Sequence, residues 1–248
     1  MANIMENSSV SPIYKRVLLK FSGEALQGDQ LFGIDVTKLS RVTSEIASIT
    51  KLGVEVALVI GGGNLIRGAD LCVTGLNRVT ADQMGMLATS INGLALLDSF
   101  DRKNIPATIM SSIALPGLAD FFDRRKAVEN LSQGKVVIFV AGTGNPLVTT
   151  DSAAALRGIE TKADIVIKAT KVDGVFAEDP IKNPKAERFE KLTYDQVLAQ
   201  RLGVMDLNAI LLCKEHNLPL RVFNMNKQGA LQRIILGENV GTLIQSGE

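Results

Sequence analysis

Residues 136–155 read VVIFVAGTGNPLVTTDSAAA. The apolar run at the start of this stretch is typical of a buried strand, and the segment that opens on Asp151 is typical of a helix. Small and hydroxyl-bearing residues form the loop between them. A loop of this make-up, where a strand ends and a helix begins, presents backbone N–H groups and hydroxyls to an anion. The stretch therefore predicts a strand, a phosphate-binding loop and a helix.

Strand and helix patterns alternate along the rest of the chain. Helical segments of more than ten residues between strands predict right-handed β-α-β crossovers, a mainly parallel sheet and an α/β fold. No linker divides the chain, so we expect a flexible tail at residues 1–13 and a single domain at residues 14–248. The predicted strands lie at 16–21, 54–60, 106–111, 136–140, 163–169, 220–223 and 242–244. The predicted helices lie at 35–52, 80–102, 120–133, 152–161 and 229–236, with two more within 194–217.

The composition limits the classes of protein to consider. The chain has 248 residues, of which 46% are hydrophobic, which suits one α/β domain with a large core. Its 27 basic and 26 acidic residues nearly cancel, so no broad field favours nucleic acid or an anionic membrane. The N-terminal segment lacks the apolar run of a signal peptide, and no segment is long and apolar enough to span a bilayer. We therefore expect a soluble protein of the cytoplasm.

Two predicted inner strands carry a lysine near their carboxyl ends. Lys20 interrupts an apolar run just before a Ser-Gly turn, and Lys168 repeats the pattern in a later strand. Ligands of open α/β sheets bind outside the carboxyl ends of the strands, so these cations would face a bound phosphate. The alternative for Lys20 is an edge lysine in solvent.

A second glycine-rich loop, GGGNLIRG, begins at Gly61 and follows the strand at 54–60. The dinucleotide-binding fingerprint fails there because Ile66 occupies the position of a small residue, and Leu147 fails the same test in the opening stretch. A P-loop is excluded because Lys and Ser/Thr do not follow Gly68. The loop is either a second phosphate site, which Arg67 favours through its planar guanidinium, or a tight turn without a ligand.

Two further segments allow both a structural and a functional interpretation. Asp82 lies near the start of a predicted helix and either caps that helix or accepts hydrogen bonds from sugar hydroxyls. The long polar loop at 170–192 is either a connector or a functional loop.

An apolar stripe on the helix at 80–102 suits the core or a subunit interface. The stripe consists of Met84, Leu87, Ile91, Leu94 and Leu97.

The inventory of reactive side chains favours phosphoryl transfer. His216 is the only histidine and is predicted at a helix end on the surface, while Cys72 and Cys213 stand far apart as core thiols. Acyl-transfer triads and zinc hydrolysis are therefore poorly supported. Glycine-rich loops, strand-end lysines and a loop arginine suit a reaction that needs positioning and charge neutralisation.

Six blocks of the sequence resemble the bacterial UMP kinases (uridylate kinases) of the amino acid kinase family. They are KFSGEAL, GGGNLIRG, MGMLAT, AGTGNPLVTTDSAAALRGIE, KATKVDGVFAEDP and RVFNMNKQGAL. The resemblance extends from residue 14 to the C-terminus. It implies a three-layer αβα fold, transfer of the ATP γ-phosphate to UMP with Mg²⁺, a cytoplasmic homohexamer and a place in pyrimidine nucleotide synthesis. It also implies that residues 14–169 mainly bind UMP and residues 170–248 mainly bind ATP.

The resemblance also implies the roles of individual residues. Lys20, Asp151 and Lys168 would be catalytic, with Lys20 stabilising the transferring phosphoryl group. The implied ATP-binding residues are Lys20, Phe21, Ser22, Gly23, Gly63, Arg67, Thr170, Phe176 and Asp179. The implied UMP-binding residues are Gly62, Asp82, Thr143, Gly144, Asn145, Pro146, Leu147, Val148, Thr149 and Thr150. No dedicated metal ligands are assigned.

The resemblance extends to regulation, and rival functions remain. The segment Gly28, Asp29, Gln30, Leu31, Phe32 and Gly33 matches one tied in the family to activation by GTP, and UTP is the implied inhibitor. One rival is another amino acid kinase that phosphorylates a carboxylate or carbamate, against which the TGNP loop and Asp82 speak. Another is a nucleotide-binding regulator or storage protein on the same fold. A nicotinamide enzyme is disfavoured by both failed fingerprints.

Overall fold

A nine-stranded sheet forms the centre of the computed structural model, which describes residues 11–67, 73 and 75–247. The strands are β1 Arg16–Phe21, β2 Glu55–Ile60, β3 Ala107–Ser111, β4 Asp120–Phe121, β5 Val136–Val140, β6 Ile165–Thr170, β7 Lys191–Thr193, β8 Leu220–Asn224 and β9 Thr242–Gln245. Their order across the sheet is β4-β3-β5-β2-β1-β6-β8-β9-β7. Every neighbouring pair is parallel except β8 and β9. The predicted α/β fold with a mainly parallel sheet is confirmed.

Helices cover both faces of the sheet and complete the three layers. They are α1 Val36–Thr50, α2 Arg78–Asp101, α3 Arg124–Ser132, α4 Thr150–Thr161, α5 Tyr194–Ala199, α6 Leu207–Glu215 and α7 Ala230–Ile235, with a short 3₁₀ helix at Gly23–Leu26. Helices α1, α2 and α7 share one hydrophobic core with the sheet. Helices α3 to α6 share the other core.

Strict alternation along the inner strands decides which face each side chain meets. In β1, Leu19 and Phe21 belong to the core under α1, whereas Leu18 belongs to the core under α4. Successive side chains of a strand point to opposite faces, so Lys20 lies on the α4 side. The same alternation in β6 puts Lys168 on that side.

The structure differs from the sequence-based prediction at several helix starts, and the reason is clear for two of them. Residues 120–121 form strand β4 beside β3, and the helix begins only after Asp123, whose carboxylate accepts a hydrogen bond from Lys126 N. Helix α4 begins at Thr150, earlier than predicted, because the Thr149 hydroxyl caps it. The tertiary pairing of β4 overrides the helical pattern in the first case, and cap chemistry sets the boundary in the second.

Helix α2 packs on the sheet through its small residues. Gly93 lies so close to β5 that a Cβ built on it would come within 2.4 Å of Val140 Cγ1. The apolar stripe predicted on this helix therefore turns partly outward, and Leu87 and Ile91 are about half exposed, at 48% and 51%. Close approach of the backbone, rather than the number of large apolar residues, selects the buried face.

Several minor predictions can be placed in the structure. Cys213 is a buried free thiol whose pKa is raised to about 12 by burial, and His216 ends α6 at the surface. Cys72 and residues 1–10 of the predicted tail lie outside the described residues. Ile13, near the end of that tail, donates a backbone hydrogen bond of 2.9 Å to Ile235 O. None of the helices in the described part of the chain has the length and apolar content needed to cross a membrane.

Two glycines of α2 provide a matched test of this packing. Gly93→Ala would push a methyl group against Val140, a buried β-branched side chain with little freedom to move, and should lower the free energy of unfolding by about 1–3 kcal/mol. Gly85→Ala meets no atom within 4 Å and should raise it by up to about 1 kcal/mol, because alanine favours helix. Urea unfolding of both variants measures the difference. Equal effects of the two substitutions would contradict the close contact.

Candidate active site

Three charged side chains meet where β1 and β6 end. Lys20 and Lys168 are paired in register on adjacent strands, and Asp151 lies in the first turn of α4. Lys20 Nζ is 2.5 Å from Asp151 Oδ1, and Lys168 Nζ is 2.8 Å from Asp151 Oδ2. The structure thus brings the three predicted catalytic residues together. The edge-lysine alternative for Lys20 is wrong, because this residue is buried.

Burial and mutual attraction both act on the protonation of this cluster. Burial alone would raise the pKa of Asp151, but the Lys20 and Lys168 ammonium groups outweigh it, and the pKa lies below its ordinary value. Burial, together with the nearby charge of Lys20, holds the pKa of Lys168 below its ordinary value, although Asp151 opposes this shift. Lys168 also donates to Val204 O at 2.6 Å. With both lysines protonated, the cluster carries one net positive charge, which suits a phosphoryl group.

A cavity of about 230 Å³, which we call the acceptor cavity, opens between α2 and the loop that precedes α4. It contains five of the residues predicted to bind the acceptor: Gly62, Asp82, Val148, Thr149 and Thr150. The rest of its wall consists of Ile66, Arg78, Ala81, Gly85, Met86, Thr89 and Gly142. This cavity is adjacent to the lysine cluster because Thr150 directly precedes Asp151.

The loop at 141–149, which we call the acceptor loop, keeps backbone donors free. Among the described residues, no protein acceptor receives the N–H groups of Thr143, Val148 and Thr149. The loop therefore offers donors to an anion beside the N-terminus of a helix. Four residues of the loop have positive φ: Ala141, Gly142, Gly144 and Leu147.

Asp82 holds the tip of the acceptor loop. Its Oδ2 accepts a hydrogen bond of 2.9 Å from Leu147 N, and both carboxylate oxygens lie within 3.0 Å of Arg78 Nε. The acceptor loop is also held at its start, where Ala141 N donates to Thr89 Oγ1 at 2.7 Å. Asp82 is therefore a fixed carboxylate on the wall of the cavity and does not cap its helix, since the cap is Asn77.

A buried pair of amides fixes the glycine-rich loop that follows β2. Asn92 Nδ2 donates to Gly61 O at 2.8 Å and to Asn64 Oδ1 at 2.7 Å. Asn64 Nδ2 donates to Gly33 O at 2.9 Å. Gly62 packs against α2, where a Cβ would come within 2.8 Å of Gly85 O. Through Gly62 and Ile66 the glycine-rich loop forms one wall of the acceptor cavity, which favours a phosphate site over a tight turn without a ligand.

Part of the predicted donor set lies around a larger cavity of about 400 Å³ on the α1 side of the sheet. Phe21, Ser22, Arg67 and Thr170 line it. Gly23 and Gly63 stand next to each other at its edge, since a Cβ on Gly23 would come within 2.8 Å of Gly63 N. Lys20, Asp151 and Lys168 line neither cavity, but Phe21 and Ala169, which line the larger one, directly follow the two lysines.

Acidic and basic groups meet at the mouth of the larger cavity. Glu24 Oε1 is 2.7 Å from Arg67 Nη2, and Glu24 Oε2 is 3.1 Å from Lys171 Nζ. These pairs are partly exposed, so they add little to stability and can exchange partners readily.

Two predicted donor residues stand apart from both cavities. Phe176 and Asp179 belong to the segment between β6 and β7, where Phe176 forms an isolated bridge with Arg188. The Asp179 carboxylate accepts from Ile181 N at 3.0 Å within its own turn. The structure does not bring either residue to the lysine cluster.

The segment predicted to respond to GTP forms a surface loop after the 3₁₀ helix. Gly28, Asp29 and Gln30 line the larger cavity, while Leu31 and Phe32 are exposed. Gly33 donates to Asn64 O at 3.0 Å and accepts from the Asn64 side chain. The segment is therefore linked by hydrogen bonds to the glycine-rich loop of the acceptor cavity.

Sequence reasoning missed several residues that support the site. Asp206 caps α6 and accepts hydrogen bonds from the Thr149 hydroxyl and from Ser152 Oγ, the latter at 2.9 Å. A carboxylate just before a helix is a recognisable cap, so this signal was available. Arg78 pairs with Asp82 four residues further along α2, a helical spacing that was also recognisable. The Asn64–Asn92 pair carries no comparable local signal, because the two residues are distant in sequence.

The side chains at this site are compatible with magnesium that arrives as part of a metal–nucleotide complex. Within residues 11–67, 73 and 75–247, no group of three or more His, Cys, Asp or Glu side chains could hold a metal ion. Both oxygens of Asp151 already contact ammonium groups. Magnesium characteristically keeps several waters and binds through substrate phosphates, so the donor set present is compatible with it.

The chain is similar to known proteins over nearly its whole length. Residues 15–224 match the model of the amino acid kinase family. The chain is 60% identical over 240 residues to the uridylate kinase of Pseudomonas paraeruginosa, which covers 97% of this chain and 98% of that protein. It is 59% identical over 241 residues to the uridylate kinase of Pseudomonas putida, with coverage of 97% and 98%.

Solved structures show the same likeness in three dimensions. The crystal structure of UMP kinase from Bacillus anthracis superposes with a TM-score of 0.92 at 43% identity, covering 95% of this chain and 97% of that one. The crystal structure of UMP kinase from Ureaplasma parvum gives a TM-score of 0.88 at 36% identity, with coverage of 94% and 99%.

Asp151→Asn tests the charge balance of the lysine cluster. It leaves two buried ammonium groups without a counter-charge and should lower the free energy of unfolding by about 3–5 kcal/mol at neutral pH. Because the folded-state pKa of Asp151 is depressed, its stabilisation is present above about pH 4 and is lost as the pH falls through the folded value. The difference between the wild type and the variant should therefore shrink in acid.

Urea unfolding near pH 7 and pH 3 measures this difference. Asp195→Asn is the matched control, because Asp195 forms an exposed ion pair with Lys214 and its loss should cost less than about 1 kcal/mol. A difference for Asp151→Asn that stays constant across this pH range would contradict the assignment.

Proposed function

The chain belongs to the amino acid kinase family, among its uridylate kinases, and we propose that it transfers the γ-phosphate of ATP to UMP, giving UDP and ADP. The product places the reaction in pyrimidine nucleotide synthesis. One observation carries the proposal: the acceptor loop, with its free N–H groups, ends directly beside the Lys20–Asp151–Lys168 cluster. An anion-binding loop next to a buried cationic cluster suits the meeting of two phosphate groups.

The reaction needs no strong base. A phosphate oxygen of UMP attacks the γ-phosphorus of ATP, a new P–O bond forms, and the bond from the γ-phosphorus to the β,γ-bridging oxygen breaks, so that its electron pair leaves with ADP. Charge accumulates on the transferring group, and Lys20 faces that charge. Asp151 keeps both lysine side chains in place and remains ionised because its pKa is depressed.

The acceptor nucleotide would be bound in its cavity both at its phosphate and at its ribose. The free N–H groups of Thr143, Val148 and Thr149 would bind the UMP phosphate, and Asp82 would accept hydrogen bonds from the ribose hydroxyls. Gly62 would allow close approach of the backbone. The remaining residues assigned to UMP are Gly144, Asn145, Pro146 and Leu147 of the acceptor loop and Thr150, the first residue of α4.

The donor would bind across the strand ends on the other side of the cluster. Phe21, Ser22, Gly23, Gly63 and Arg67 would contact its phosphates. Thr170, Phe176 and Asp179 would surround its base and ribose. On this assignment residues 14–169 mainly bind UMP and residues 170–248 mainly bind ATP. When bound together with ATP, Mg²⁺ would offset the negative charge of the phosphates, and Lys20 would neutralise charge on the transferring group.

Further properties of the proposal concern assembly and control. We propose a homohexamer in the cytoplasm, activated by GTP through Gly28–Gly33 and inhibited by UTP. The outward apolar stripe of α2 is available for contact between copies, and the hydrogen bonds from Asn64 to Gly33 connect the proposed GTP segment to the acceptor cavity.

Two rival functions give distinct outcomes in one assay. A relative that phosphorylates a carboxylate or carbamate would release ADP from Mg-ATP with glutamate, aspartate or carbamate. A nucleotide-binding regulator would bind nucleotides without turnover. We expect ADP release with UMP alone in such a panel, monitored by a coupled ADP assay. Turnover with a carboxylate but not with UMP would exclude the proposed function.

Lys20→Ala separates catalysis from binding. Because the lysine acts mainly on charge that develops in the transition state, the variant should lose at least about 100-fold in kcat with a smaller change in the KM for UMP. Lys15→Ala is the matched control, since Lys15 is exposed near the opposite end of β1 and should leave kcat unchanged. Steady-state kinetics of the purified variants supply both constants. A kcat that Lys20→Ala does not alter would remove Lys20 from the mechanism.

A further inference from the structure

A buried arginine lies behind the acceptor loop and outside both cavities. Arg157 projects from α4 and is only 4% exposed. Its guanidinium stacks over the Phe122 ring with Cζ 3.6 Å from the centroid, and its Nη1 pairs with Glu160. Its Nη2 donates to Ser112 Oγ at 2.8 Å. A buried charge with this many specific contacts is costly to desolvate, so it calls for a role beyond filling space.

The contact with Ser112 continues into the acceptor loop. Ser112 Oγ lies 2.7 Å from Gly142 O. An arginine guanidinium only donates hydrogen bonds, and a carbonyl oxygen only accepts them. The Ser112 hydroxyl must therefore accept from Arg157 and give its own proton to Gly142. The direction of both hydrogen bonds is fixed by the chemistry of the two end groups.

This arrangement fixes the orientation of one peptide unit. In a planar trans peptide the C=O and N–H groups point in opposite directions. The carbonyl of Gly142 is held toward Ser112, so the N–H of Thr143 points away from it. That N–H is one of the free donors of the acceptor loop.

The loop could not keep this orientation by local preference alone. Ala141 and Gly142 both have positive φ, at 60° and 56°, and Ala141 is not a glycine. Such a conformation costs free energy and persists only where surrounding contacts hold it. Gly144 packs against the same serine, because a Cβ on it would come within 2.8 Å of Ser112 O.

We propose that Arg157, acting through Ser112, is a positioning residue that orients the Thr143 N–H toward the phosphate of the acceptor nucleotide. It touches neither substrate. The proposal rests on the proposed function, because it specifies how one donor of the acceptor loop is aimed.

The decisive variant is Ser112→Ala, which removes the hydroxyl between arginine and loop. It should raise the KM for UMP about tenfold, the effect of one lost hydrogen bond, and leave the KM for ATP unchanged. Arg157→Lys retains the charge but cannot reach both partners in the same fork geometry, and should show the same pattern. Ser132→Ala and Arg102→Lys are the controls, because both residues are on the surface and make only local contacts; neither should alter either KM.

Amide hydrogen exchange provides a readout that does not depend on turnover. Gly144 N donates to Ala141 O within the loop, and its exchange should quicken about tenfold in Ser112→Ala. Ile138 N, in the adjacent strand β5, should keep its protection. If Gly144 and Ile138 quickened together, the role of Arg157 would be general stability and the proposal would be wrong.

The outcomes separate the two proposals. If the wild type makes no UDP, the proposed function fails, and the exchange at Gly144 alone decides whether Arg157 holds the loop. If the wild type makes UDP but Ser112→Ala changes neither the KM for UMP nor the exchange at Gly144, the positioning role is overturned while the proposed function stands.

Discussion

The contact on which the site depends is the one between Asp151 and two lysines on neighbouring strands. Two buried ammonium groups in register on adjacent strands would repel each other, and the carboxylate between them offsets that repulsion. Asp151 stands in the first turn of α4, where the helix dipole favours a negative charge. The same interaction therefore ties the helix to the sheet and fixes where the acceptor loop must end.

The acceptor loop is held by elements on both faces of the sheet. Helix α2 contributes Asp82 and Thr89, and Asp206 holds the loop's last residue, Thr149, from the start of α6. Behind the loop, Arg157 reaches Gly142 through a serine. Because these contacts hold the loop at different points, through its backbone and through the Thr149 hydroxyl, the loop can keep N–H groups unpaired and still have one conformation. A preformed donor array of this kind loses little entropy when an anion binds.

Much of this architecture follows from the sequence, for identifiable reasons. The apolar run around Lys20 predicts the strand at 16–21. The position of Lys20 near the carboxyl end of that strand predicts the end of the sheet at which a ligand binds. The association of Lys20 with Asp151 was implied only by the family resemblance, because no periodic pattern connects a strand to a residue so distant in the chain. The face of α2 was not predictable from its large apolar residues, since the close approach at Gly93 decides it. The surroundings of Phe176 likewise depend on an irregular segment with no repeating pattern.

The register between β1 and β6 also governs how this chain can change in length. A one-residue insertion or deletion within either strand, before its lysine, would turn that lysine to the opposite face of the sheet and away from Asp151. The surface loop at 28–33 has no such constraint on side-chain direction, apart from its bonds to Asn64. We therefore expect changes in length to be tolerated at the edge of the larger cavity and not in the two strands, although both border the site.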